Sequence, residues 1–323
     1  MRRILGLILA GVAGFFLCTM VLLLAYAPGK VKVTPLTINS TTHLEGTARA
    51  LPTGGTGPIK AVNRTVVDGE ASDDDVAVFD AFTCLIKGSD GPDCVDDKDP
   101  DKRLISASTE RYATDRSTAM AVADEKYTDA DDKRVGLISK IPFDAEKKNY
   151  PIWEGIIGKP VDLVFEGEEE IEGLNTYRFS INVPATKAEI AKGVQGTYAN
   201  QKTVWYDPVT GSPIKQTEKQ TRKLENGTAV LDIDLAYTDE QVSKNVEAAK
   251  ANISRLGLIS KGPLFAGILG LLALAGAAFA LMGGRRGEEE LVYEDGYDDG
   301  RADTAIFGDA DEKTTRRRGD LHN

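Results

Sequence analysis

Ile4–Ala27 is an unbroken apolar run with Arg2 and Arg3 in front of it and Lys30 and Lys32 just beyond. As a helix it would be about 36 Å long, more than the roughly 30 Å of hydrocarbon that a bilayer presents. Inside lipid a backbone must satisfy its own polar groups, so such a stretch has one conformation open to it and ties the rest of the chain to a membrane. A cleavable secretory signal is the competing reading, because Ala25 and Ala27 form a small-x-small pattern before Pro28. Signal cores run to only about 7 to 15 residues, however, and a proline directly after the cut is awkward for the peptidase. Residues 4–27 are therefore read as a retained transmembrane helix, with residues 1–3 in the cytoplasm.

A second apolar run, Leu264–Met282, follows Gly262 and Pro263 and ends at Gly283, Gly284, Arg285 and Arg286. It is about long enough to cross once, which makes residues 262–282 the second span. Each span carries an arginine pair on one flank, and the positive-inside tendency puts both pairs in the cytoplasm. Residues 28–261 then form an extracytoplasmic domain of a two-pass plasma-membrane protein. Small residues recur four apart at Gly6, Ala10 and Gly14 in the first span and at Ala266 and Gly270 in the second. This spacing lets helix backbones approach, so the two spans are expected to pack on each other or on those of a partner. The plain alternative is that Gly and Ala are simply common in membrane helices.

Charge narrows the partners. Residues 28–261 carry a net charge of −8 and the segment after Met282 a further −5. A chain with no basic stripe is poorly suited to phosphate backbones, which argues against nucleic-acid binding. Cys84 and Cys94 flank the turn-forming stretch Lys87–Asp93. Outside the cytoplasm a local disulfide is their natural outcome, with two free thiols as the alternative.

The ectodomain reads as strands. Val31, Val33, Leu36 and Ile38 suggest one or two strands leaving the membrane, the Gly-, Thr- and Pro-rich stretch from Gly46 to Pro58 suggests a loop, and Val76–Leu85 suggests a buried strand. Tyr177, Phe179, Ile181 and Val183 alternate with polar residues, as do Leu231, Ile233, Leu235 and Tyr237. Period-two patterning indicates strands with one buried face. Between them, Asp207, Pro208 and Gly211 supply a hairpin turn, with proline early and glycine late. Tyr112–Thr118 echoes that turn faintly, again an aromatic, then Asp, then Thr three residues on. Thr186 with Glu189 matches a capping box before a short helix ending near Gly193. Thr238 with Gln241 matches another, opening an amphipathic stalk helix over residues 239–258 whose apolar face should lie on the sheet.

Residues 283–323 are acidic and poor in apolar side chains, the composition of a disordered cytoplasmic tail. Within it Thr304 has Asp303 before it and Ile306 and Phe307 after it, a pattern that resembles actinobacterial Ser/Thr kinase sites. Phosphate there would suit a phosphothreonine-binding partner.

Ile141–Trp153, Phe165–Phe179 and Trp205–Gly211, together with the flanking helices, resemble an actinobacterial family of two-helix envelope proteins known as the porin A family and otherwise as a domain of unknown function. The resemblance implies a membrane-anchored envelope protein and brings no catalytic or ligand residue with it. The hairpin at Asp207 is also similar to those of curved-sheet, lipid-carrying lipoproteins. The expected fold class is accordingly α+β: an antiparallel, curved, half-barrel-like sheet with few helices, anchored by a helix at each end.

No catalytic constellation is visible. His43 and His322 are the only histidines, and no phosphate-binding glycine loop occurs in a strand-to-helix setting. Asp97, Asp99 and Asp101 imitate a calcium loop, but Ser108 stands where a bidentate glutamate belongs. The reading is a non-enzymatic protein with no cofactor or metal, whose sheet binds an envelope lipid or another membrane protein. An accessory subunit signalling to the tail and an oligomeric porin are the alternatives.

Overall fold

The computed structural model describes residues 1–26, 30–50 and 55–282. Helix α1 (Arg2–Ala25) and helix α2 (Asp239–Met282) bracket ten strands, and both are long and apolar enough to cross a membrane. The strands are β1 (Asn39–Ala50), β2 (Thr56–Asp68), β3 (Val76–Lys87), β4 (Leu104–Asp115), β5 (Tyr150–Glu154), β6 (Lys159–Ile171), β7 (Leu174–Ala191), β8 (Val194–Tyr206), β9 (Pro213–Leu224) and β10 (Ala229–Tyr237). They form one antiparallel sheet in the order β4-β3-β2-β1-β10-β9-β8-β7-β6-β5. Two meanders, β1–β4 and β5–β10, are thus joined where the first strand meets the last, with Leu44 opposite Tyr237 and Ala50 opposite Leu231.

The sheet curls into a half-barrel. At one end short bridges run from Thr114 to Ala121, Met120 to Leu137, and Leu137 to Ile152, so the β4–β5 connection links the two outermost strands. Residues of that connection, Ala119, Leu137, Ile141 and Ala145, fill the concave side against Tyr150, Ile152, Leu163, Phe179, Ile181 and Tyr206. The rings of Phe165 and Tyr206 meet that of Phe179 edge-on, an arrangement their quadrupoles favour. The chain between α1 and β1 is held to this closed end: Thr34 N–H donates to Arg116 O, Arg116 Nε donates to Thr34 O, and Lys30 pairs with Asp74.

Several expectations need correction. Thr186 and Glu189 lie in β7, not in a helix, because Ala188 and Ile190 alternate into the concave core and that burial outweighs the local capping pattern. Glu189 instead accepts the N–H of Gly193, which sits at φ +75° in the β7–β8 turn. Residues 46–50 and 56–58, expected as loop, are strand: Ala48 faces the core and β1 is paired on both sides. Residues 32–38 form no strand, although Leu36 and Ile38 pack on Val67 and Phe79. The stalk and the second span are one 44-residue helix, about 66 Å long, with Pro263 inside it. A proline costs one helical hydrogen bond, and here the helix is held on both sides of it. Before Pro263, Val242, Val246 and Ala249 pack on Leu174, Trp205 and Ile214; after it, the helix packs on α1. Thr238 Oγ1 caps the helix by accepting Gln241 N–H at 3.1 Å, but Gln241 Oε1 accepts His43 N–H instead of returning to the cap. The helix start is thereby fastened to β1.

The β1–β10 seam leaves no room at Gly46, where an added Cβ would run into the backbone of Asp234. Gly46→Ala is expected to lower stability by about 1–3 kcal/mol, as overpacking does. Gly57→Ala, where the same atom meets open space, should leave the thermal midpoint almost unchanged. Equal midpoints for the two variants in circular-dichroism melts would contradict the seam as described.

Candidate functional site

Between the filled part of the concave face and strands β1–β4, β9 and β10, a hollow of about 610 Å³ remains. That volume lies within the range of single small-molecule sites. Leu44, Ala61, Phe79, Leu85, Ile233 and Leu235 on β1, β2, β3 and β10 give part of its lining apolar side chains, interspersed with Thr42, Asn63, Thr65 and Thr83. The neighbouring strand β9 is polar, with Glu218 and Gln220 in register with Leu235 and Ile233 of β10. On β9, Gln216, Glu218, Gln220 and Arg222 point inward at every second position, beside Lys202 of β8. Sequence reasoning missed this row because β9 is polar on both faces, and period-two patterning was sought only in apolar residues.

Glu218 is the hub of the row. It accepts from Asn200 Nδ2 at 2.9 Å, Gln216 Nε2 at 3.1 Å and Gln220 Nε2 at 3.3 Å, and it pairs with Lys202 Nζ at 3.4 Å. Arg222 Nε donates to Gln220 Oε1 at 2.7 Å, and Tyr198 OH donates to the buried Glu154 at 3.2 Å. Burial pulls the Lys202 ammonium down, but the Glu218 and Glu154 carboxylates outweigh it and hold the group above its ordinary value. Burial lowers the Arg222 guanidinium and, with Glu154 and Glu218 close by, drives the Tyr198 phenol far up. The row is therefore a set of half-buried, mutually compensated charges and amides that can both donate and accept.

The predicted hairpin turn supports the hollow from below. Asp207 is buried and accepts the N–H groups of Val209 and Thr210, both at 3.0 Å, and the Thr210 hydroxyl at 2.5 Å. Gly211, at φ +75°, turns its carbonyl to the Ile141 N–H, and the carbonyls of Pro208 and Val209 accept from Ala145 and Asp144. The turn thus anchors the connection that closes the hollow. The faint echo at Tyr112–Thr118 has the same construction, with Asp115 accepting from Ser117 and Thr118. Lys140, on the anchored connection, lines the hollow with its ammonium 3.8 Å from the Phe143 ring.

The remaining expected residues lie elsewhere. Cys84 and Cys94 are bonded to each other, and their loop sits on the outer face, where Lys60 donates to Gly91 O and His43 contacts Asp93. Asp99 is occupied by Arg103 through two side-chain bonds, of 2.6 and 3.1 Å. In the helix pair Gly6 abuts Leu281, Gly270 receives Leu17, and Ala266 is buried. Ala10 and Gly14 face away; Ala13 takes the seam instead, and large residues of α1 such as Leu17 and Met20 seat over glycines of α2. The small residues are concentrated on one helix and not shared by both, which is why the α1 stripe was misplaced. Thr304 lies outside the described residues.

Two outcomes follow from these contacts. Burial lowers Lys140 to about 8 against the pull of Asp207. Below pH 8 the group is charged in both states and its burial costs stability; from about pH 8 toward the ordinary lysine range the folded chain sheds the proton first and that cost fades. The stability of Lys140→Met relative to the parent should therefore fall as the pH rises from 8 to 10 in denaturant titrations, and a flat difference would refute the burial. Replacing Cys84 and Cys94 with serine should cost roughly 3 kcal/mol by loosening the unfolded chain. Alkylation of these two thiols in unfolded, unreduced parent protein would show that they are not bonded.

A family model described as Porin PorA matches residues 5–279 of the chain. A curated relative named Porin PorA, from Corynebacterium amycolatum, is 30% identical over 128 residues, which is 36% of this chain and 31% of that protein. The matched stretch thus spans about a third of the curated relative's length.

Proposed function

The chain belongs to the Porin PorA family, and from that footing we propose that it is a two-pass envelope membrane protein, not an enzyme, whose concave sheet binds a lipid-like amphiphile beside the bilayer. The observation that carries this reading is the mixed lining of the hollow: apolar side chains on β1, β3 and β10, suited to a hydrocarbon chain, beside a hydrogen-bonding row on β9 suited to a head group. The antiparallel helix pair supports the topology, because Gly6 beside Leu281 brings both arginine-flanked ends to the same side. The sheet then stands on the other side of the membrane, where a disulfide at Cys84 and Cys94 is chemically at home.

The family description favours a second reading, a pore. The strands are a poor wall for one, since the convex face carries Lys219 with Asp234, Arg111 with Asp68 and Asp80, and Arg178 with Glu169. A barrel in lipid needs an apolar outer band. Conduction would have to come from assembled helices, whose exposed Phe15, Leu22, Leu272 and Phe279 leave apolar faces for lipid or other copies.

Native mass spectrometry of the full chain decides between them. One tightly retained lipid per chain is expected, and Thr42→Trp, which places a bulky ring in the hollow from a half-buried position, should release it. A lipid-free parent, or retention that ignores Thr42→Trp, would overturn the binding reading, and unit conductances in planar bilayers would establish the pore.

A further inference from the structure

We propose that the hollow selects an amphiphile with an uncharged, hydroxyl-bearing head group, a glycosyl- or polyol-type lipid, over an anionic phospholipid. The inference rests on the reading of the hollow as a lipid site and adds the chemistry of what it admits.

Electroneutrality of the lining is the first observation. Three cations, Lys202, Arg222 and Lys140, and three carboxylates, Glu218, Glu154 and Glu110, face the space. Nearly all are engaged within the protein. Lys202 pairs with Glu218, Glu110 pairs with Arg134 at 3.2 Å, and Glu154 accepts from Tyr198. A phosphate would bring a negative charge into a lining whose own three cations and three carboxylates already sum to zero. Half-burying a charge without a compensating one is unfavourable. An uncharged head group makes no such demand.

The second observation is what the row still has to offer. Gln216 gives its N–H to Glu218, while its Oε1 has no partner among the described residues. Lys202 has further N–H bonds beyond the one directed at Glu218. Acceptors and donors are thus interleaved along β8 and β9, and a hydroxyl, which both donates and accepts, satisfies either kind. A head group with several hydroxyls can bridge neighbouring positions of the row, whereas a phosphate, which mainly accepts, leaves the Gln216 Oε1 unmet. Leu235, beside Glu218 on the next strand, with Leu44 and Phe79 beyond it, supplies apolar surface for the chain.

The test uses the full chain in nanodiscs holding equal amounts of a neutral glycosyl diacylglycerol and phosphatidylglycerol in a phosphatidylcholine background, with the retained lipid identified by native mass spectrometry. The parent should retain the glycolipid over phosphatidylglycerol by at least about tenfold. Glu218→Gln, which frees Lys202, should move that ratio about tenfold toward phosphatidylglycerol, and Gln216→Leu should lower glycolipid occupancy without favouring the anion. Because Glu218→Gln removes a hub of the network, its fold is checked by thermal melting. If it does not fold, Gln216→Leu carries the comparison, and unchanged glycolipid occupancy in that variant refutes the selection. Phosphatidylglycerol retained equally or better by the parent, and released by Thr42→Trp, would overturn the head-group inference while leaving the hollow a lipid site. Retention of neither lipid in a manner sensitive to Thr42→Trp would overturn both.

Discussion

The pairing of β1 with β10 is the contact on which the other features depend. It joins strands from opposite ends of the chain, and each of those strands is attached to a helix long enough to cross a bilayer. The same closure that merges two meanders into one sheet therefore brings α1 beside α2, and the packed helices in turn hold the strand ends together. Each contact reduces the loop entropy that the other must overcome. The close approach at Gly46 and the bonds from His43 to Thr238 and Gln241 fasten the seam at the point where sheet passes into helix.

The hollow is a consequence of how incompletely the curled sheet is filled. The β4–β5 connection is long enough to cover only part of the concave face, and the turn at Asp207 fixes where it lies. Over β5–β8 it meets aromatic and aliphatic side chains and the interior packs solid. Over β9 it meets Glu218, Gln220 and Arg222, which cannot be covered cheaply by apolar groups, so space remains. The charges in that space balance one another, and this is what allows them to stay half-buried. The convex face is charged without such closure, whereas the exposed faces of the two helices are apolar.

Much of this was legible in order along the chain. The two apolar helices, the alternating strands at Tyr177–Val183 and Leu231–Tyr237, the Asp207 turn and the cysteine-closed loop all rest on local chemistry within a few residues, and the family resemblance matched the family model. The errors share a cause. Thr186 and Glu189 have helix-start chemistry but sit where Ala188 and Ile190 can be buried; residues 46–50 have loop composition but lie between two partner strands; Ala10 and Gly14 have the right spacing on the wrong side of their helix. In each, a contact from a distant part of the chain outweighed a preference of a few tenths to one kcal/mol.

The amino-acid sequence by itself determined the two helices long and apolar enough to cross a membrane, the β-rich body and its turns, because hydrophobic length, side-chain period and turn chemistry act over short distances. Only the tertiary structure decided that the sheet would curl, that α2 would run unbroken through Pro263, and that the unremarkable polar strand β9 would become the wall of a hollow. Those outcomes depend on which faces meet across nearly two hundred residues of chain, and a one-dimensional pattern does not encode which of several compatible faces will be opposed.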